Sequence, residues 1–133
     1  VTDNEDNPSA LEVALMKSRS SECLSRDSAI YELTSFIQED SAIRRLHEMQ
    51  DHDIVTMQVD AADVLARLGG VKGLFLVLDE IGRRRGDPDA DYMANRLYEL
   101  DASGDVEILA IIEPVIGQLS SNGAVGFQQR PPT

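Results

Sequence analysis

Three stretches of this chain repeat one apolar spacing. Ala29, Ile30, Leu33 and Phe36 return 32 residues later as Ala61, Ala62, Leu65 and Leu68, and again as Met93, Ala94, Leu97 and Leu100. Steps of one, three and three residues keep such positions on one side of a helix, so the pattern is one apolar helix face written three times. A second ladder lies between the copies: Ala10, Leu11 and Ala14, then Ala42, Ile43 and Leu46, then Leu74, Phe75 and Leu78. Two helices per period predict hairpins stacked side by side, an α-solenoid in which each unit buries its face only against its neighbours.

The polar residues between the ladders set the expected boundaries. Asn7 before Pro8 predicts a cap and a first-turn proline for a helix running to about Lys17, and the serines of Ser18-Arg19-Ser20-Ser21 form the following turn. Further helices are expected over 22–38, 42–50 and 54–68. The third starts behind the acidic cap Glu39-Asp40-Ser41, the fourth is capped by Asp53, and Gly69-Gly70 stops it. A fifth helix covers about 72–85 and ends at Gly86. A sixth opens at Asp87-Pro88 and stops at Gly104, and a seventh carries Pro114, which predicts a break. The domain reading is a polar lead-in at 1–7, a helical repeat domain at 8–120 and a flexible tail at 121–133, rich in Gly, Gln and Pro.

Composition narrows the picture. A chain of 133 residues has room for one core of ordinary size, and a 5% aromatic content without Trp suits closely packed helices better than a β-sandwich. With 24 acidic against 12 basic residues the net charge is −12, which repels phosphate backbones and anionic membranes. The expected partner is therefore a protein, and a basic one, with no nucleic acid and no membrane. A single cysteine, Cys23, excludes an internal disulfide, no apolar run reaches membrane-spanning length, and the first residues are acidic; the expected location is cytoplasmic.

Residues 51–69 carry a more specific pattern: an acidic turn at Asp51-His52-Asp53, an aliphatic position at Met57, then Ala61, Ala62, Leu65, Leu68 and Gly69. This stretch resembles the second half of a HEAT-like repeat. Gln58 stands where that family usually has Arg, and the copies around residues 29 and 93 keep the apolar face while losing most of the other signature. The resemblance implies a short HEAT-like α-solenoid of about seven helices stacked as antiparallel hairpins. It also implies a superhelix whose second helices line a concave surface that holds proteins or sometimes nucleic acid. Tetratricopeptide repeats are close in length at 34 residues, but their aromatic and glycine positions are not filled here.

Catalytic and metal motifs are weak. Asp87, Asp89 and Asp91 alternate as in a calcium loop, yet Tyr92 and Tyr98 stand where Gly and Glu would be required, so helix capping is favoured. His47 and His52 flank a turn without a ligand pair and are expected in solvent; Cys23 is expected as a buried or half-buried structural thiol. Arg83-Arg84-Arg85 reads as a solvated helix end. No cofactor is expected and no enzyme.

The face opposite the apolar ladder carries the functional expectation. Its rows are Ser28, Asp60 and Tyr92; Tyr31, Asp63 and Asn95; and Ser35, Arg67 and Glu99. Of these, Tyr31, Asp60, Asp63, Arg67, Tyr92, Asn95 and Glu99 form the candidate binding set, because tyrosines anchor interfaces and aspartates attract Lys or Arg. The expected function is a non-catalytic protein-binding module. An inhibitor that covers a basic protein, such as an immunity protein or antitoxin, fits its size and charge; an adaptor, or a HEAT-like chromophore lyase, is the alternative.

Overall fold

The computed structural model describes residues 8–128, and within them every regular element is helical. The α-helices are α1 (Ala10–Lys17), α2 (Cys23–Thr34), α3 (Asp40–Met49), α4 (Val55–Leu68), α5 (Gly70–Arg83), α6 (Pro88–Ser103), α7 (Ile108–Ile112) and α8 (Ser121–Gln128). A 3-10 helix over Glu113–Gln118 lies between the last two.

Local chemistry accounts for some of the ends, while α2, α3, α4, α5 and α7 begin without a side-chain cap, and α4 starts behind Ile54 in place of the expected Asp53 cap. Ser9 caps α1 in a reciprocal box with Glu12, each side chain accepting from the other residue's backbone N–H; the start expected at Asn7-Pro8 moves to this cap. Those bonds hold the Glu12 carboxyl below its ordinary value. Asp87 caps α6 by accepting from the Asp89 N–H at 2.9 Å, and Gly104, at φ 84°, ends the helix in the left-handed region that glycine tolerates. Pro114 falls where α7 gives way to the 3-10 segment.

The two ladders become the core. Leu33, Leu65 and Leu97 are completely buried, as are Leu46, Leu74 and Leu78. α2 packs on α4 and α4 on α6; α1 packs on α3 and α3 on α5. The ladder does not hold at every position: Leu68 is exposed at the last turn of α4, and Ala10 is exposed at the first turn of α1.

Two regions differ from the sequence expectation. Residues 121–128, assigned to a flexible tail, form α8 and lie along α5, while 129–133 fall outside the described residues. The reason is backbone proximity. A Cβ built on Gly126 would stand 1.9 Å from the Leu78 carbonyl oxygen, and one on Gly82 would stand 1.8 Å from that of Asn122. Glycine on both helices lets the chains approach closely, which an apolar periodicity does not reveal. Ser120 secures the start of α8, donating to Asp79 at 2.6 Å and accepting from the Gly123 N–H at 2.9 Å.

The second difference is the arginine run. Arg83 and Arg85 are exposed, but Arg84 is buried. Its Nη1 donates to the Gln50 carbonyl at 2.7 Å, its Nη2 to Gln58 Oε1 at 3.2 Å and to Asp87 Oδ2 at 3.1 Å, with the buried Glu80 carboxylate 3.6 Å away. Gln58 in turn donates to the His52 carbonyl. Arg45 does similar work one period earlier, reaching Ser18 Oγ at 2.8 Å and the Ser18 carbonyl at 2.9 Å. Ser18 and Gln50 are the C-caps of α1 and α3, so in both places an arginine from the next unit satisfies a carbonyl that the helix end leaves open.

His52 and Cys23 also depart from expectation. The His52 ring is largely buried, and its Nδ1 accepts from the Ile54 N–H at 2.9 Å; burial pulls its pKa below the ordinary histidine value. Cys23 is exposed at the first turn of α2, where Arg26 Nη2 approaches its sulfur at 3.1 Å.

Candidate functional site

The packing of α2 on α4 and of α4 on α6 gathers polar side chains from three helices. Tyr31 on α2 and Tyr92 on α6 are 61% and 57% exposed, large values for aromatic side chains. Asp60 and Asp63 on α4 lie half-buried between those helices. Arg67, Asn95 and Glu99 are exposed.

Ion pairs organise one half of this surface. Asp63 Oδ2 accepts from Arg67 Nε at 2.8 Å, one helical turn away, and its other oxygen lies 3.7 Å from Arg96 Nε. Arg96 Nη1 donates to Glu99 at 3.0 Å. Asp63, Arg67, Arg96 and Glu99 therefore form a chain of alternating sign across α4 and α6. Asn95 is one residue before Arg96, and the ion pairs run through that arginine.

The other half is a concentration of like charge. Burial raises the Asp60 pKa first, and the Asp27 carboxyl on α2, within hydrogen-bonding reach side chain to side chain, raises it further; Asp63 adds to this and Arg96 opposes it. Tyr31 is raised mainly by the negative charge of Asp60, then by burial, Asp27 and Asp63. Burial and the neighbouring carboxyl groups therefore both work against ionisation of Asp60.

Asp60 and Tyr92 also face a common cleft of about 460 Å³ between α4 and α6, with Val55, Thr56, Val59, Asp89 and Arg96 completing its lining. Thus Tyr31, Asp60 and Asp63 meet electrostatically, Asp60 and Tyr92 meet across the cleft, and Arg67 and Glu99 join through the ion-pair chain. The projection of the helices missed Asp27 and Arg96. Each adjoins a row position, Ser28 and Asn95 respectively, and their carboxyl and guanidinium groups bring them to residues on the neighbouring helix.

Among the described residues no set of three or more His, Cys, Asp or Glu side chains is gathered in a way that could hold a metal ion. None of their helices is long and apolar enough to cross a membrane. Comparison with protein-family models, curated proteins and solved structures finds no match to this chain.

Proposed function

We propose that this chain is a non-catalytic protein-binding module, a short solenoid of helical hairpins whose α2–α4–α6 face holds a basic partner. The solenoid reading is supported by the 32-residue ladder and by the packing of α1 on α3 on α5 and of α2 on α4 on α6. The HEAT-like assignment rests on the resemblance of residues 51–69. An inhibitor that covers a basic protein, as an immunity protein or antitoxin does, is the form of this function that suits a small acidic domain.

One observation carries the binding reading: exposed Tyr31 and Tyr92 flank carboxylates whose mutual repulsion an incoming cation would relieve. Aromatic side chains supply contact area at low entropic cost, and clustered aspartates steer a basic surface inward. The variant carrying Tyr31→Ala, Asp60→Asn, Asp63→Asn and Tyr92→Ala tests this against the wild type, with helicity and melting temperature as fold controls. Wild type should retain a basic protein that the folded variant releases, and association should slow with salt. Retention of the same proteins by both would move the binding face elsewhere.

A further inference from the structure

The cleft between α4 and α6 is amphipathic. Val55 and Val59 supply an apolar part of its lining, the Tyr92 ring stands in it, and Asp60 and Asp89 bring carboxylates. Its one lining cation, Arg96, also pairs with Glu99 at 3.0 Å and lies 3.7 Å from Asp63, so its charge is shared among several carboxylates. The remaining charge on the lining is negative. An aromatic ring, an apolar flank and a carboxyl together match one kind of visitor: a long side chain with an aliphatic stem and a cationic head.

We propose that this cleft seats an arginine side chain from a basic polypeptide segment, its guanidinium lying on the Tyr92 ring and its N–H groups reaching Asp60. This rests on the reading of the α2–α4–α6 face as protein-binding and names the group that anchors the partner. Arginine fits better than lysine for two reasons. A planar guanidinium stacks on an aromatic face, and its fork of donors can engage Asp60 together with Asp89 of the same lining, where an ammonium offers a compact point charge. The titratable and charged groups around Asp60 are Asp27 and Tyr31 from α2, Asp63 from α4 itself, and Arg96 and Asp89 from α6. Three of these five are carboxyl groups, Tyr31 stays neutral through the Asp60 titration, and a cation favours ionised Asp60, so binding should tighten as pH rises through that titration.

The test is an NMR titration of isotope-labelled protein with a blocked peptide of four arginines spaced by glycine and serine, alongside lysine and citrulline versions. Citrulline keeps the shape of arginine and removes its charge. The arginine peptide should shift the resonances of Val55, Thr56, Val59 and Tyr92, the lysine peptide should bind several-fold more weakly, and the citrulline peptide should have no effect. Tyr92→Ala and Asp60→Asn should each weaken arginine-peptide binding roughly tenfold with the rest of the spectrum unchanged. Shifts confined to Tyr31, Arg67 and Glu99 would overturn the cleft assignment while leaving the face as a binding surface. Equal binding of lysine or citrulline peptides would overturn the arginine assignment. No shift on α2, α4 or α6 with any peptide would overturn both this inference and the broader function.

Discussion

Charge is handled in opposite ways at two places in this molecule. Around Arg84, a buried guanidinium is matched by the buried Glu80 carboxylate beside it, the half-exposed Asp87 carboxylate and the Gln58 amide on its donors, and the Gln50 carbonyl at its tip. Around Asp60, groups of the same sign are held together nearer the surface, with Arg96 opposing them. The first arrangement ties α3, α4, α5 and α6 into fixed relative positions. The second works against ionisation of Asp60 in the isolated chain. Matched burial belongs to architecture; in the function proposed above, the like-charged cluster beside exposed tyrosines serves binding.

The sharpest way to break this contrast is Arg84→Ala. Loss of one partner from a buried pair costs about 3–5 kcal/mol. Here the lower end applies, because Arg83 still contacts Glu80 through its Nε at 3.1 Å while the Gln50 carbonyl loses its donor. Denaturant unfolding should show that loss, and a change below about 1 kcal/mol would mean the network is not structural. Gln58→Leu should come next, at about 1–3 kcal/mol, since it strips an acceptor from Arg84 and a donor from the His52 carbonyl with little change in volume.

On the acidic face the sign reverses. A carboxyl raised on folding binds its proton more tightly in the folded chain than in the unfolded one, so folding takes up protons between the ordinary aspartate value of 3.8 and the higher folded value. Stability therefore falls as pH rises through that window, and the cost is fully present at neutrality. Asp60→Asn removes it and should raise stability at pH 7 by up to about 0.5 kcal/mol. A loss of stability in that variant would show that Asp60 is structural.

His52 sharpens the comparison further. Its lowered pKa means that the unfolded chain binds the proton more readily. The stability it contributes is present above pH 6.5 and is lost as pH falls towards the depressed folded value. Acid should thus weaken the region around α4's first turn and ease the Asp27–Asp60 contact. Melting curves of His52→Asn and Asp60→Asn over pH 4 to 8 should differ from wild type with opposite slopes.

How much of this was legible beforehand follows from what kind of contact each feature needs. The ladders depend on local periodicity, so Leu33, Leu65 and Leu97 could be placed in the core from the sequence, as could the tyrosines and aspartates on the opposite side. Arg84 could not. A triple-arginine run at a helix end looks solvated until Gln50 and Gln58, distant in sequence, are seen against its middle member. Asp27 was missed because its influence on Asp60 passes between helices. α8 escaped notice because Gly123, Gly126 and the polar residues around them favour helix poorly, and its order comes from lying along α5.

That last contact bears on the order in which the chain can be completed during synthesis. Ser120 and its partner Asp79 are 41 residues apart, and α8 begins immediately after Ser120. A ribosome adding roughly 5–20 residues per second leaves the Leu78–Gly82 side of α5 waiting about 2–8 seconds for its cover. During that interval the nascent chain presents an unfilled helical groove.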